Sequence, residues 1–225
     1  LRKLLFFTLL LTFIFAACEQ SPEQEPKEEN YQKHLKQYLS QEPIIQSDGT
    51  MIFYCAPLVM SGTIEALKDK YVDAKCIYAQ LPKQADGSIL PDAIMDDFST
   101  YGVSSSFSFI GHGLESLEKK TNTITNALKS GNTVLCIVET TFKPTGEKMP
   151  HYYLILGYKK DMKNNITFFV YDSYLNQEPN NPLITIDTNG NNAGNMSINP
   201  VELFAKAALI NYGLVNTFWM VNSVK

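Results

Sequence analysis

Arginine is nearly missing from this chain: Arg2 is the only one in 225 residues. Lysine and arginine together number 19 against 23 acidic residues, a formal net charge of −4, and there is no basic patch. Nucleic-acid binding draws on a basic face rich in arginine, so that class of partner is set aside. Histidine is scarce too, with His34, His112 and His151 only. The four cysteines, Cys18, Cys55, Cys76 and Cys136, include no two at metal-ligand spacing, which argues against a zinc site; no cofactor is implied. There is no internal repeat. The apolar run from Leu4 to Ala17 covers 14 residues, short of the roughly 20 that a membrane-spanning helix needs.

That short run has another use. Arg2 and Lys3 precede it, and Phe15-Ala16-Ala17-Cys18 closes it. Positive charge, an apolar stretch and small residues in this order form an export signal. The small residues directly before a cysteine resemble the lipobox of bacterial lipoproteins. The resemblance implies a signal peptide over residues 1–17, palmitate or similar acyl chains on Cys18, and a domain lipid-anchored in the bacterial cell envelope, outside the cytoplasm. Several chains on one cysteine would hold the protein at the membrane stably. Residues 18–30 then turn acidic and proline-rich, EQSPEQEPKEEN after the cysteine, and read as a disordered tether. Loss of residues 1–17 leaves 17 basic and 23 acidic residues, a net charge of −6. Residues 31–225 are enough for one core and short of two. Twelve tyrosines and thirteen phenylalanines suit a well-packed domain.

Hydrophobic periodicity predicts the elements. His34 to Leu39 reads as a short helical or irregular lead-in, and Asp48-Gly49 as a turn. A helix is expected from Cys55 to about Tyr71, with Leu58, Ile64 and Leu67 apolar and Pro57 tolerated in the first turn. Lys75 to Leu81 reads as a short strand. Leu90-Pro91-Asp92 starts a helix that stops at Gly102, and Leu114 to Ser130 forms another. The period then changes. Thr133–Glu139, His151–Tyr158 and Ile166–Asp172 read as strands, followed by a helix over Pro200–Asn211 and a strand over Leu214–Val221. Helices first and antiparallel sheet second give an α+β fold.

Nucleophilic chemistry centres on cysteine. Cys136 lies in Val134-Leu135-Cys136-Ile137-Val138 and reads as a buried small hydrophobe; Cys76, at a strand start, reads as structural. The two are a disulfide candidate in an oxidising envelope. Cys55 stands at the expected start of a helix, where backbone N–H groups and the helix dipole stabilise a thiolate, although a simply buried cysteine fits the same place. A thiol nucleophile needs a base and the base an orienting group. His34 is next to the tether and reads as solvated. His112, in Gly111-His112-Gly113, reads as a capping or rim residue and is the competing base. His151 opens the hairpin His151–Asp172, whose polar turn is Lys159–Asn165. A symmetric hairpin has partner numbers summing to 323, which puts His151 directly opposite Asp172 with Cβ atoms about 5 Å apart. A carboxylate there would hold the imidazole tautomer that a thiol needs. A one-residue bulge would break this register.

The pattern of motifs resembles the C39-like branch of papain-like cysteine peptidases. Its members carry Cys-Gly-Pro leading a helix, a Tyr-Gly segment, a helix ending in Gly, a strand, then Gly-His-Tyr running to Gly-Tyr, and a strand closing in Asp-Pro-Tyr. This chain has Cys55-Ala56-Pro57, Tyr101-Gly102-Val103, Ser130-Gly131, His151-Tyr152-Tyr153 to Gly157-Tyr158, and Tyr171-Asp172-Ser173-Tyr174, in the family's order over roughly residues 45–175. Ala56, Pro150 and Ser173 depart from the family's Gly, Gly and Pro. The resemblance implies a papain-like fold, a helical part followed by antiparallel sheet. It implies Cys55 as nucleophile, His151 as base and Asp172 as orienting residue, with Gln46, nine residues before Cys55, as the nearest candidate for the family's oxyanion glutamine. The implied activity is a thiol protease or amidase acting on a peptide or protein substrate through a thioester. Acyl transfer on the same fold and a non-catalytic lipoprotein that binds a peptide or protein partner are the alternatives.

Overall fold

The computed structural model describes residues 27–36, 38–39, 41, 44–49, 51–108, 116–141, 146–174, 193–208 and 219–225. The signal segment, Cys18, His112 and the expected strand residues 214–218 lie outside the described residues.

The architecture is α+β. In chain order it runs β1 (Glu29–Gln32), β2 (Ile44–Ile45), β3 (Met51–Ile52), α1 (Cys55–Lys68), α2 (Ala74–Gln80), α3 (Pro91–Thr100), β4 (Val103–Ser108), α4 (Leu117–Lys129), β5 (Thr133–Thr141), β6 (Lys148–Lys160), β7 (Ile166–Asp172), β8 (Met196–Ile198), α5 (Pro200–Ala208) and β9 (Trp219–Val224). Seven strands form one antiparallel sheet in the order β4-β9-β5-β6-β7-β8, with β1 also paired to β6; β2 and β3 form a separate two-stranded sheet.

Both faces of the large sheet are covered, which is why its central strands are apolar runs with no polar alternation. On one face Leu135, Ile137, Leu154, Phe169 and Tyr171 meet Leu58, Val59 and Ile64 of α1, with Ile77, Ile94 and Phe98 beyond. On the other, Val134, Cys136, Tyr153, Ile155 and Val170 meet Ile124 and Leu128 of α4 and Leu203 and Phe204 of α5. Helix α1 is buried along most of its length, from Cys55 to Glu65, so packing holds it more than propensity does. It ends where Asp69 turns left-handed at φ 51° and returns its N–H to the Glu65 carbonyl.

Three expectations need correction. Lys75–Leu81 is helical: the Asp73 side chain caps α2 by accepting from the Lys75 N–H, and Ala74 and Ile77 bury one face at helical spacing. The acidic segment before residue 31 is ordered at its end, because Glu29-Asn30 already belongs to β1. There Glu29 binds Lys129, its carboxylate accepts the Tyr158 hydroxyl, and Glu28 pairs with Lys159. The lead-in that follows takes the irregular form of the two expected, with no helix among its described residues. Leu35 and Tyr38 are buried, and the Gln41 N–H bonds the Ser173 carbonyl.

The third correction concerns the β6–β7 hairpin. His151 does not face Asp172. Near the turn the pairs are Lys160↔Ile166 and Gly157↔Phe169; beyond an irregularity at Leu156 they become Ile155↔Val170 and Tyr153↔Asp172. Tyr153 is therefore opposite Asp172, and His151 lies two residues further along the same face. The turn is shorter than the expected Lys159–Asn165, because β6 runs to Lys160 and β7 resumes at Ile166, and within it the Asp161 carboxylate accepts the N–H groups of Lys163 and Asn165. Gly157, beside the bulge, lets β1 come close: a Cβ there would lie 2.2 Å from the Tyr31 carbonyl oxygen of β1.

Candidate active site

Strand β7 stops at Asp172, opposite Tyr153, so β6 from Lys148 to Tyr152 is not paired with β7. The start of α1 comes against this stretch. Cys55 is the first residue of α1 and the Tyr152 backbone N–H reaches its sulfur. No side chain caps this helix start. Pro57 has no N–H, and the Leu58 N–H is taken by the Tyr54 carbonyl. The N–H groups of Cys55 and Ala56 have no acceptor within the helix, as at any helix start; they are donors at the place where a substrate oxyanion would form.

His151 and Asp172 join Cys55 here. His151 Nε2 lies 2.8 Å from Asp172 Oδ1. The carboxylate can only accept, so Nε2 carries the proton and donates. Nδ1 has no hydrogen bond of ordinary geometry, yet the imidazole acts on the Cys55 sulfur. Nδ1 is the nitrogen left to face the sulfur. His151 is fully buried, and Cys55 and Asp172 are each 5% exposed.

Burial and charge compete at each member. Burial alone would push the Cys55 thiol up; the hydrogen bond and charge of His151, helped by the Tyr174 hydroxyl and the Tyr152 N–H, hold it below the ordinary thiol value. Burial disfavours the charged imidazole, but the charge and hydrogen bond of Asp172, with Cys55 contributing less, raise His151 to about 9. Burial also pushes Asp172 up. The His151 charge and hydrogen bond, the Tyr174 N–H and the Tyr153 hydroxyl outweigh it and keep the carboxyl below its ordinary range. All three directions favour a thiolate–imidazolium–carboxylate array.

The array is held from outside. Asn195, buried at 1%, accepts the Asp172 N–H and donates to the Asp172 carbonyl, each at 2.8 Å. Gly194 before it has φ 77°, and a Cβ there would lie 2.2 Å from the Val170 carbonyl. Its N–H donates to the Tyr38 hydroxyl at 2.7 Å. Tyr153 and Tyr174 flank the imidazole, edge-on at 5.5 Å and stacked at 3.8 Å between ring centres.

Cys55, His151 and Asp172 thus converge. Gln46 is exposed, in the turn between β2 and β3, where its carbonyl accepts the Gly49 N–H, while the other three are buried. Cys76 is exposed on α2 and Cys136 buried in β5, and both are free thiols, so the disulfide candidate is withdrawn. Burial holds the Cys136 thiol well above its ordinary value, which makes it a poor nucleophile. Among the described residues no three His, Cys, Asp or Glu side chains converge as a metal site. Tyr174 and Asn195 were missed in the sequence. Tyr174 was visible in Tyr171-Asp172-Ser173-Tyr174, but nothing marked Asn195, whose role depends on how residues 193–195 fold back on β7. No protein-family model matches the chain, and no curated protein sequence matches it.

Proposed function

We propose that the protein is a thiol hydrolase of papain-like type that cleaves a peptide or amide bond. The observation that carries this reading is the convergence of Cys55, at an uncapped helix start, with a His151–Asp172 pair at 2.8 Å. The Cys55 thiolate attacks the carbonyl carbon and the carbonyl electrons move to oxygen. The oxyanion is held by the N–H groups at the start of α1. His151, protonated, gives its proton to the leaving amine, and a thioester remains on Cys55. Water, losing a proton to His151, then attacks the thioester; the acid leaves and the thiolate returns. Asp172 keeps the imidazole turned toward sulfur throughout.

The test is covalent trapping by an electrophilic peptide probe near neutral pH. Cys55→Ala should abolish trapping and His151→Ala should slow it by about two orders of magnitude or more. His112→Ala should change little. A wild type that reacts no faster than free cysteine would refute the hydrolase reading. One observation favours a second reading, a non-catalytic protein that binds a peptide or protein partner: Cys55 is only 5% exposed, so little of it is open to a carbonyl in this conformation. The same trapping experiment separates the two.

The anchoring belongs to this proposal as well. Lipid on Cys18 would hold the domain at the envelope surface, and the described structure begins at Lys27. The nine Cα–Cα steps from Cys18 to Lys27 span up to about 30 Å when extended. Metabolic labelling with a fatty-acid analogue should tag the wild type and not Cys18→Ser; equal labelling of both would refute it.

A further inference from the structure

We propose that the lead-in from Lys33 to Gln41 is a brace that holds Asp172 in place for His151, with Tyr38 as its positioning residue. The inference rests on the triad reading above and deepens it.

The brace ties the helix that carries Cys55 to the strand end that carries Asp172. On the helix side, Leu35 is buried against Gly62 of α1, where a Cβ would lie 3.0 Å from Leu35 Cδ1. The Lys36 N–H donates to Glu65 Oε1 of the same helix at 2.9 Å. On the strand side three consecutive residues are held. The Tyr171 hydroxyl donates to the Leu39 carbonyl at 2.6 Å. The Ser173 carbonyl accepts the Gln41 N–H at 2.9 Å. Asp172, between them, is reached through Gly194 and Asn195.

The last pair of the β7–β8 ladder is Val170↔Met196. At Asp172 the Asn195 carboxamide takes the place of a strand's main chain: its oxygen accepts the Asp172 N–H and its NH₂ donates to the Asp172 carbonyl, each at 2.8 Å. The Asn195 N–H holds the Val170 carbonyl at 2.9 Å, and Gly194 packs against the same residue. The Gly194 N–H ends on the Tyr38 hydroxyl at 2.7 Å. Tyr38 is buried, with its ring edge-on to Tyr171 at 5.6 Å. Tyr38 thus fixes the turn that carries Asn195, Asn195 fixes Asp172, and Asp172 Oδ1 meets His151 Nε2 at 2.8 Å. A buried N–H that loses its acceptor is costly. Without the Tyr38 hydroxyl, residues 194–195 move to satisfy Gly194, Asp172 moves with them, and the imidazolium loses part of its support. Tyr38 acts through Asp172 and needs no contact with the substrate.

The measurement is the pH dependence of Cys55 trapping by an epoxide-bearing peptide in the full chain, read by mass spectrometry of the Cys55 peptide. The thiolate attacks an epoxide carbon, the C–O bond opens, and the oxygen takes the His151 proton. The rate therefore falls on the alkaline side as His151 loses that proton, with a wild-type midpoint near 9. In Tyr38→Phe that midpoint should drop by about one pH unit. Trapping at pH 7 should slow about threefold, because an about tenfold loss of imidazolium is half offset in log units by a more reactive thiolate. Tyr158→Phe takes a buried hydroxyl from the Glu29 carboxylate of β1, a like loss away from Asp172, and should leave the midpoint unmoved. Adding Tyr38→Phe to Asp172→Asn should slow trapping no further, because the brace acts through the carboxylate. If Tyr38→Phe does not fold, Tyr171→Phe, which cuts the Leu39 bond of the same brace, takes its place with the same expectation. A Tyr38→Phe midpoint equal to wild type, an equal shift in Tyr158→Phe, or a further threefold loss in the double variant overturns the brace and leaves the triad standing. A wild type without the alkaline fall overturns both.

Discussion

Replacing Asp172 with asparagine removes one charge and little else, which makes it the sharpest probe of the array. The Tyr174 N–H and the His151 Nε2 proton both end on Oδ1. An amide at position 172 must keep its oxygen there to satisfy the Tyr174 N–H, so His151 keeps its proton on Nε2 and its lone pair toward sulfur. Geometry survives and charge does not. His151 stands at about 9 against an ordinary 6.5, and Asp172 is the largest cause that raises it. Loss of that support is worth about 3 kcal/mol at roughly 1.4 kcal/mol per pKa unit. The thiolate–imidazolium population should fall by two to three orders of magnitude. About half of that in log units returns, because a thiolate of higher pKa is a stronger nucleophile. The net expectation for Asp172→Asn is a trapping rate about 10- to 50-fold below wild type at pH 7, milder than His151→Ala. The assay is the second-order inactivation rate by an electrophilic peptide across pH 5–10, on variants shown to be folded. An Asp172→Asn rate equal to wild type, or one as slow as His151→Ala, would refute the reasoning. Stability carries the same signature. With its folded value raised, His151 contributes stability that is fully present below about pH 6.5 and lost as pH rises through about 9. Asp172, held low, contributes stability present above its ordinary value of 3.8 and lost as pH falls through its folded value. Cys55 titrates in the opposite sense to His151 and masks its slope. In Cys55→Ala, urea unfolding should therefore lose up to about 3 kcal/mol between pH 6.5 and 9, and adding Asp172→Asn should flatten that loss.

Three further outcomes are expected. Asn195→Leu orphans a buried N–H and a buried carbonyl of Asp172 and should cost about 3 kcal/mol in chemical denaturation; a loss under about 0.5 kcal/mol would show that the pair does not hold Asp172. Gly157→Ala places a Cβ 2.2 Å from the Tyr31 carbonyl oxygen and should cost about 2 kcal/mol. Hydrogen exchange should then rise first at residues 31–33, and exchange spread evenly over β7 instead would contradict this. Brief alkylation should label Cys76 and Cys55 and leave Cys136, buried in β5 with its thiol held high, unreacted until the chain unfolds; early labelling of Cys136 would mean that its place in the sheet is misassigned.

Much of the fold is legible in the sequence, and the exceptions have identifiable causes. Long elements with one dominant signal were found where expected: α1 from its apolar positions and Pro57, α3 from Leu90-Pro91-Asp92, β5 and β7 from their apolar runs. Lys75–Leu81 reads as a short strand in the sequence, whereas the decisive feature is a local cap at Asp73. Strands β1 and β8 carry four and three residues and exist by pairing with β6 and β7, a long-range cause without local pattern. The site divides the same way. Cys55, His151 and Asp172, which the structure brings together, stand out in the sequence by residue type and by the motif order of the resemblance, while the register argument for the pair fails. Asn195 was not, because its contact with Asp172 spans 23 residues and needs the left-handed turn at Gly194.

The His151–Asp172 pairing was expected for a reason that the hairpin does not obey, and the way it nevertheless forms says what the bulge is for. Near the turn, partner numbers sum to 326, as in Lys160↔Ile166. Carried through to the strand end, that register would put Asp172 opposite Leu154. Leu154 faces the α1 side of the sheet, whereas Tyr153, and His151 by alternation, point to the other. A register changed by one residue moves a side chain to the opposite face, so a regular hairpin with this turn would have separated the base from its carboxylate. Leu156 absorbs one residue, the sum drops to 325, and Asp172 returns to the face of Tyr153 and His151. The bulge that a register argument treats as a threat is what makes the pair possible. It lies where β1 takes over from β5 along β6: the Lys33 N–H is bonded to the Leu156 carbonyl, and Gly157 sits against Tyr31. β1, the bulge and the His151–Asp172 register thus form one linked arrangement, with Gly157 at its centre.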